Sequence, residues 1–215
     1  MTPNHATKTQ GRLLAVGDIH GCLEQLTALM IQVAPAPSDQ VIFLGDYIDR
    51  GPDSAAVIDY LITFGETFPA TVFLRGNHEQ MFCDYLDGHD PSAFLINGGL
   101  MTLNSYKSKG QWPIPPSHRI FLETLHDYYE TQDYIFVHAG LRPGVPLAQQ
   151  DSSDLLWIRR DFISSDYDWG KTVVYGHTPL KEPFLAETRM GLDTGCVYGR
   201  RLTCCDVRGK QVWQA

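Results

Sequence analysis

Ten side chains able to do chemistry follow the ends of five short apolar runs: Asp18, His20, Asp46, Asp49, Arg50, Arg75, Asn77, His78, His138 and His177. Carboxylates, imidazoles and one amide, with no thiolate among them, are the ligand set of divalent ions such as Mn²⁺, Fe²⁺ and Zn²⁺. Six of the ten (Asp18, His20, Asp46, Asn77, His138, His177) could ligate, more than one catalytic ion with open positions needs. They suit two ions, and a metal pair about 3.5–4 Å apart is a clamp for phosphate-ester hydrolysis. Each residue taken alone has a plainer reading. A single histidine at a strand end is more often a hydrogen-bonded structural group. Asp18 could cap a helix, Asp49 and Asp53 could cap or turn, and Asn77-His78-Glu79 could simply start a helix. Those readings weaken when all the clusters must be explained together.

The elements that must position these groups are legible around them. Residues 12–17, 41–45 and 71–75 read as strands, and Leu23, Leu26, Leu29, Met30 and Val33 have helical spacing over 22–33. "APAPSD" breaks that helix. A second amphipathic helix over 53–64 opens on Pro52 and Asp53. The first 80 residues therefore read β-α-β-α-β, with near-continuous apolar strands that imply a buried, mainly parallel sheet. In such sheets ligands sit at the carboxyl ends of the strands, where the charged clusters lie. Residues 78–127 look largely helical, interrupted by "NGG" and "WPIPP", and form an insertion or lid. Residues 128–140 read as a hairpin turning at Gln132-Asp133, and 171–179 repeat the strand-to-histidine device. From 183 onward the β-rich runs suggest antiparallel strands. The expected fold class is α/β: mixed sheets flanked by helices, in a single domain over 1–215, with 1–10 as a tail.

The motifs "GDIHG", "GDYIDRG", "RGNHE", "HAG" and "GHT" occur in that order over residues 17–178. This set resembles the phosphoprotein phosphatase family of metallophosphoesterases, especially its small bacterial and bacteriophage lambda-type members. The resemblance implies a β-sandwich of mixed sheets and two divalent ions, Mn²⁺ first, with Fe²⁺ or Zn²⁺ as alternatives. It implies that Asp18 and His20 bind the first ion, that Asp46 bridges, and that Asn77, His138 and His177 complete the second. His78 would be the general acid, Asp49 its orienting partner, and Arg50 and Arg75 the phosphate holders. Water activated between the ions would attack phosphorus in line. Planar guanidinium forks suit spread phosphoryl charge, and an alkoxide leaving group benefits from an imidazolium kept protonated by a carboxylate. A later arginine also contacts phosphate in relatives; Arg159 is favoured over Arg160.

The leading functional expectation is a serine/threonine protein phosphatase acting on phosphoproteins or phosphopeptides. The alternative is a symmetric diadenosine tetraphosphate hydrolase or another small-molecule phosphoesterase. A non-catalytic scaffold would lack several ligands or the acid, and none is missing. The net charge of −8 over 215 residues argues against a nucleic-acid partner, which needs a basic face. No run has the length of a membrane span. Five irregularly spaced cysteines with no C-x-x-C fit a reducing cytoplasm. The cysteine-phosphatase signature, the P-loop and the zinc-protease helix are all incomplete here. His5, His89, His118 and His126 are expected as surface or packing residues, the four tryptophans as core or rim, and Cys204-Cys205 as buried small side chains.

Overall fold

In a computed structural model, residues 11–215 are described. The expected tail over 1–10, with His5, lies outside them. The strand β1 (Leu13–Val16) is fully buried on both faces. Its side chains alternate: Leu14 and Val16 join an outer core under the helices, while Leu13 and Ala15 join an inner core between two sheets. β2 (Gln40–Phe43) repeats this alternation, and β3 (Val72–Phe73) pairs with it. Both strand pairings are parallel, and the period of two lets one strand feed both cores. The crossovers are α1 (Leu23–Val33) and α2 (Ser54–Thr67), which place Leu26, Leu29, Val57, Ile58 and Leu61 on the outer core. α1 stops at Ala34, which takes a left-handed conformation before the prolines.

The insertion is helical as expected. It comprises α3 (Asn77–Leu86), α4 (Ser92–Phe94), a π turn at Leu95–Gly99, α5 (Leu100–Ser108) and α6 (Pro116–Glu123). Leu103, Tyr106, Phe121 and Leu122 bury it against the outer core. β4 (Tyr128–Glu130) and β5 (Tyr134–Val137) form the hairpin. α7 (Ser152–Trp157) and α8 (Arg160–Ile163) then cover the far face of a second sheet, closing a third cluster with Val137, Val173 and Phe162. That sheet is completed by β6 (Thr172–Tyr175), β7 (Phe184–Leu185) and β8 (Arg189–Gly191).

Two expectations for the C-terminal third change. The second sheet, ordered β4-β5-β6-β8-β7, has a parallel centre, because β8 pairs parallel with β6. The last strands, β9 (Thr203–Asp206) and β10 (Gln211–Gln214), return to the first sheet, ordered β10-β9-β1-β2-β3, with β9 antiparallel to β1. The reason is burial on both faces: Cys204 faces the outer core, Cys205 and Val207 the inner one. The run around Val197 is no strand; Cys196–Tyr198 is a short 3₁₀ turn between Gly195 and Gly199, both left-handed. The layers are thus helices, sheet, sheet, helices. The carboxyl ends of β1, β2, β3, β5 and β6 lead directly into the chemistry-bearing loops.

Candidate active site

The loops after these strands are forced into uncommon backbone. His20, Asp46, Asp49, Arg50 and His177 all have positive φ, between 47° and 70°. For side-chain-bearing residues this costs energy and persists only where surroundings hold it, commonly at functional sites. One holder is Glu79, fully buried on α3. Its carboxylate accepts the N–H groups of Asp46 and Tyr47 at 2.8 Å and of Gly76 at 2.9 Å. Gly76 is obligatory there: a Cβ would lie 2.1 Å from Asp46 Oδ1.

The strand ends converge on Asp46. Its oxygens stand within ligand distance of two histidine pairs, His20 with His78 and His138 with His177. Asp46 Oδ2 is 3.5 Å from His20 Nε2, and Oδ1 is 3.4 Å from His138 Nε2. Asn77 Oδ1 adds an oxygen 3.0 Å from the same His138 nitrogen. Two of the imidazoles are aimed by backbone. His20 Nδ1 donates to the Ile48 carbonyl and His138 Nδ1 to the Leu44 carbonyl, both at 2.8 Å. That tautomer leaves each Nε2 lone pair facing Asp46, as a metal ligand requires. Asp18 stands outside both groups; its carboxylate accepts the His177 N–H at 3.0 and 3.1 Å.

His78 Nδ1 meets Asp49 Oδ2 at 2.6 Å, while His78 Nε2 is buried with no partner. Arg50 Nη1 lies 2.7 Å from His20 Nε2, and Arg159 Nε donates to His177 Nε2 at 3.0 Å. Arg159 and Arg160 are both exposed and line one surface cleft with Trp157, and Arg159 is the one of the two that reaches a cluster histidine. Arg75 differs from expectation: its guanidinium engages Gln80 at 3.0 Å and Asp127 at 3.8 Å rather than any cluster residue. β3 ends at Phe73, and the Arg75 amide is drawn to the His126 carbonyl.

Burial dominates the electrostatics. It raises the carboxyl of Asp18, helped by the charges of Asp193 and Asp46. It lifts Glu79 to about 7 and Asp193 to about 6, and it raises Asp49. It lowers His20 and His177 to about 3 and His78 to about 4. Only the Asp46–His138 pair resists burial: the His138 charge, then His78, holds Asp46 low, and Asp46 raises His138. Crowded buried carboxylates, and imidazole nitrogens whose lone pairs face Asp46, call for positive charge that divalent cations would supply. The residues present therefore fit a pair of such ions.

Sequence reasoning missed Glu79, Thr102 and Asp193. Glu79 carried a signal, since a glutamate three residues into a helix often reaches back to the preceding backbone. Asp193, in "GLDTG", accepts the Gly195 amide at 2.9 Å beside Asp18. Thr102 comes from α5, far along the chain, and donates to Asp49 Oδ1. His118 is a packing residue, joining Tyr106 to Asp59.

The calcineurin-like phosphoesterase family matches residues 11–207. The chain belongs to this family, and it is a hydrolase of the metallophosphoesterase type, a class that uses divalent ions. Among curated relatives, the bis(5′-nucleosyl)-tetraphosphatase PrpE (asymmetrical) of Bacillus subtilis is 29% identical, over 87% of this chain and 87% of its own. The Oceanobacillus iheyensis protein of the same name is 28% identical, over 87% and 85%. A solved structure of a candidate diadenosine tetraphosphatase superposes with a TM-score of 0.75 at 24% identity, covering 98% of this chain and 96% of that one. A Saccharomyces cerevisiae serine/threonine phosphatase gives 0.62 at 18% identity, covering 86% and 67%. Among the described residues, no helix is long and apolar enough to cross a membrane.

Proposed function

We propose that this protein hydrolyses bis(5′-nucleosyl) tetraphosphates, the substrate class of the alternative expectation but with asymmetrical in place of the symmetrical cleavage expected there, rather than phosphoproteins. The observation that carries this reading is the near full-length similarity to proteins named for that substrate. Likeness to the yeast phosphatase, at 18% identity, speaks for fold alone. The relatives' names carry the label asymmetrical, so a nucleoside triphosphate and a monophosphate are the expected products.

Asp18, His20, Asp46, Asn77, His138 and His177 would hold two divalent ions. Oxygen and imidazole donors suit Mn²⁺, and Fe²⁺ or Zn²⁺ next. When bound, the ions supply an acidified water and Lewis acidity toward phosphoryl oxygens. Arg50 and Arg159 place guanidinium forks at the two ends of the histidine cluster, where they hold phosphoryl oxygens and align the chain of phosphates. Arg75 has a lesser part, as an outer charge near Asp127. His78 delivers a proton from Nε2 to the departing oxygen. Asp49 holds the opposite nitrogen, which fixes the ring and stabilises the protonated form.

The test is a paired assay of Mn²⁺-loaded protein on diadenosine tetraphosphate and a phosphothreonine peptide, with chelator controls and chromatography of the products. Faster turnover of the dinucleotide is expected. Preference for the peptide would restore the protein phosphatase reading.

A further inference from the structure

We propose that Trp157 and Tyr198 are the two nucleobase platforms of this site, one on each flank of the histidine cluster. The proposal rests on the dinucleoside tetraphosphate reading above and names residues that would select that substrate.

Large exposed rings are common and need no function when scattered. These two are placed differently from the others. Trp157, at the end of α7, is 43% exposed, and its indole stands edge-on to the His177 ring with centroids 6.0 Å apart. Tyr198, in the 3₁₀ turn, is 58% exposed, and the Arg50 guanidinium lies 5.9 Å from its ring centre. A continuous chain of contacts runs between them, from Trp157 through His177, His138, Asp46, His20 and Arg50 to Tyr198. The two flanks repeat one pattern. On one, Trp157 adjoins His177, which Arg159 contacts; on the other, Tyr198 adjoins Arg50, which contacts His20. Each flank therefore offers an exposed ring, an arginine and a cluster histidine.

Other exposed aromatics lack this setting. Tyr167 leans on Trp169, and Trp112 on Tyr85. Phe184 is exposed on β7 without an aromatic or cationic neighbour among the described residues.

The repeated pattern matches the chemistry of the ligand. A dinucleoside tetraphosphate is a linear polyanion with a flat heteroaromatic group at each end. Cationic forks and ions suit its middle, and π faces suit its ends. Base–aromatic stacking tolerates any base, because every base has a π face. A tyrosine ring already beside a cation is polarised to stack further, and both rings keep a wet, amphipathic edge. A phosphopeptide carries no such pair of flat termini, so the rings favour one substrate class over the other.

The probe is inhibition. Diadenosine tetraphosphate and inorganic tripolyphosphate are compared as competitive inhibitors of p-nitrophenyl phosphate hydrolysis by Mn²⁺-loaded wild type, Trp157→Ala, Tyr198→Ala and the two phenylalanine variants. Each alanine change is expected to raise the inhibition constant of the dinucleotide roughly ten-fold, the scale of one lost base stack, while that of tripolyphosphate holds. Phenylalanine should restore tight inhibition. A parallel rise for both inhibitors, or no rise for either, would overturn the proposal, and a rise in one variant alone would remove the other ring from it. Cleavage of the dinucleotide by wild type is read separately and decides the functional reading, so the two failures are distinguishable.

Discussion

Asp49 and His78, both without solvent exposure, share a 2.6 Å contact between Oδ2 and Nδ1 in the interior of the site. The second oxygen of Asp49 is held by Thr102, and its amide also donates to that hydroxyl at 2.9 Å. The Asp49–His78 pair is thus clamped by α5, an element of the helical insertion. Burial opposes charge on both members, pushing His78 down to about 4 and Asp49 up.

His78→Asn is expected to slow hydrolysis of an alkyl phosphate by about 10²–10⁴-fold, the usual reach of general acid catalysis. Aryl phosphates and dinucleoside tetraphosphates should slow far less, because their leaving oxygens need less protonation. Metal content should not change. Equal slowing of all three substrates would remove His78 from the acid role.

Thr102→Val strips the Asp49 carboxylate of its hydroxyl partner while keeping side-chain volume. A fall in kcat of roughly ten-fold with little change in KM is expected, as misaligned catalytic groups cost at least that much. Thr102→Ser should recover most of it. Steady-state kinetics across pH will show whether the acid limb moves as the Asp49–His78 pair loosens.

Asp46 serves both three-residue groups, whereas His177 belongs to one. Asp46→Asn should therefore lose both ions and nearly all turnover, and His177→Ala should lose about one equivalent, by the second-site logic of paired metals. Elemental analysis after gel filtration reads this directly. Normal metal content in either variant would contradict the assignment.

Arg159→Ala should raise KM for phosphate substrates about ten-fold, the worth of one charge-assisted phosphate contact. Arg160→Ala should leave it unchanged, since both arginines are exposed but Arg159 is the one that contacts His177. The reverse result would mean that the neighbouring arginine swings inward.

A stability test lies away from the site. Asp39 is buried and accepts from the Arg12 amide at 2.8 Å and the Arg12 side chain at 3.0 and 2.6 Å. Arg12 also covers the Val33 and Ala34 carbonyls at the end of α1. Burial works against the Asp39 charge, but the Arg12 bonds prevail and hold its carboxyl below the usual range. A depressed folded pKa adds stability above the unfolded value near 4, and loses it as pH falls through the folded value. Asp39→Asn should cost about 1–3 kcal/mol at neutral pH, less than a fully buried pair because Arg12 is partly exposed. Its Tm should also depend less on pH in acid, which thermal melts from neutral pH down to about pH 3 would show.

Much of the site was legible because each strand end carries its own short motif. Asp46, His138 and His177 could be grouped from chain position alone, since parallel strands deliver their carboxyl ends to one edge. The same logic misplaced Arg75. It also follows a strand end, yet its guanidinium turns to Gln80 and Asp127. Direction of a long side chain is decided by neighbours that the motif does not contain.

Local pattern also determined the α/β class, the first β-α-β-α-β unit and the helical insertion, because hydrophobic period and strand-end chemistry are encoded within a few residues. Pairing between distant segments was left to the tertiary structure. Only it returned Cys204 and Cys205 to the first sheet, and only it brought Thr102 to Asp49 and Glu79 under the Asp46 loop. Such contacts join residues 33 positions apart for Glu79 and Asp46, 53 for Thr102 and Asp49, and 188 and 190 for Cys204 and Cys205 with β1. They form because burial on both faces, and the need to satisfy buried amides and carboxylates, are conditions on the whole packed molecule.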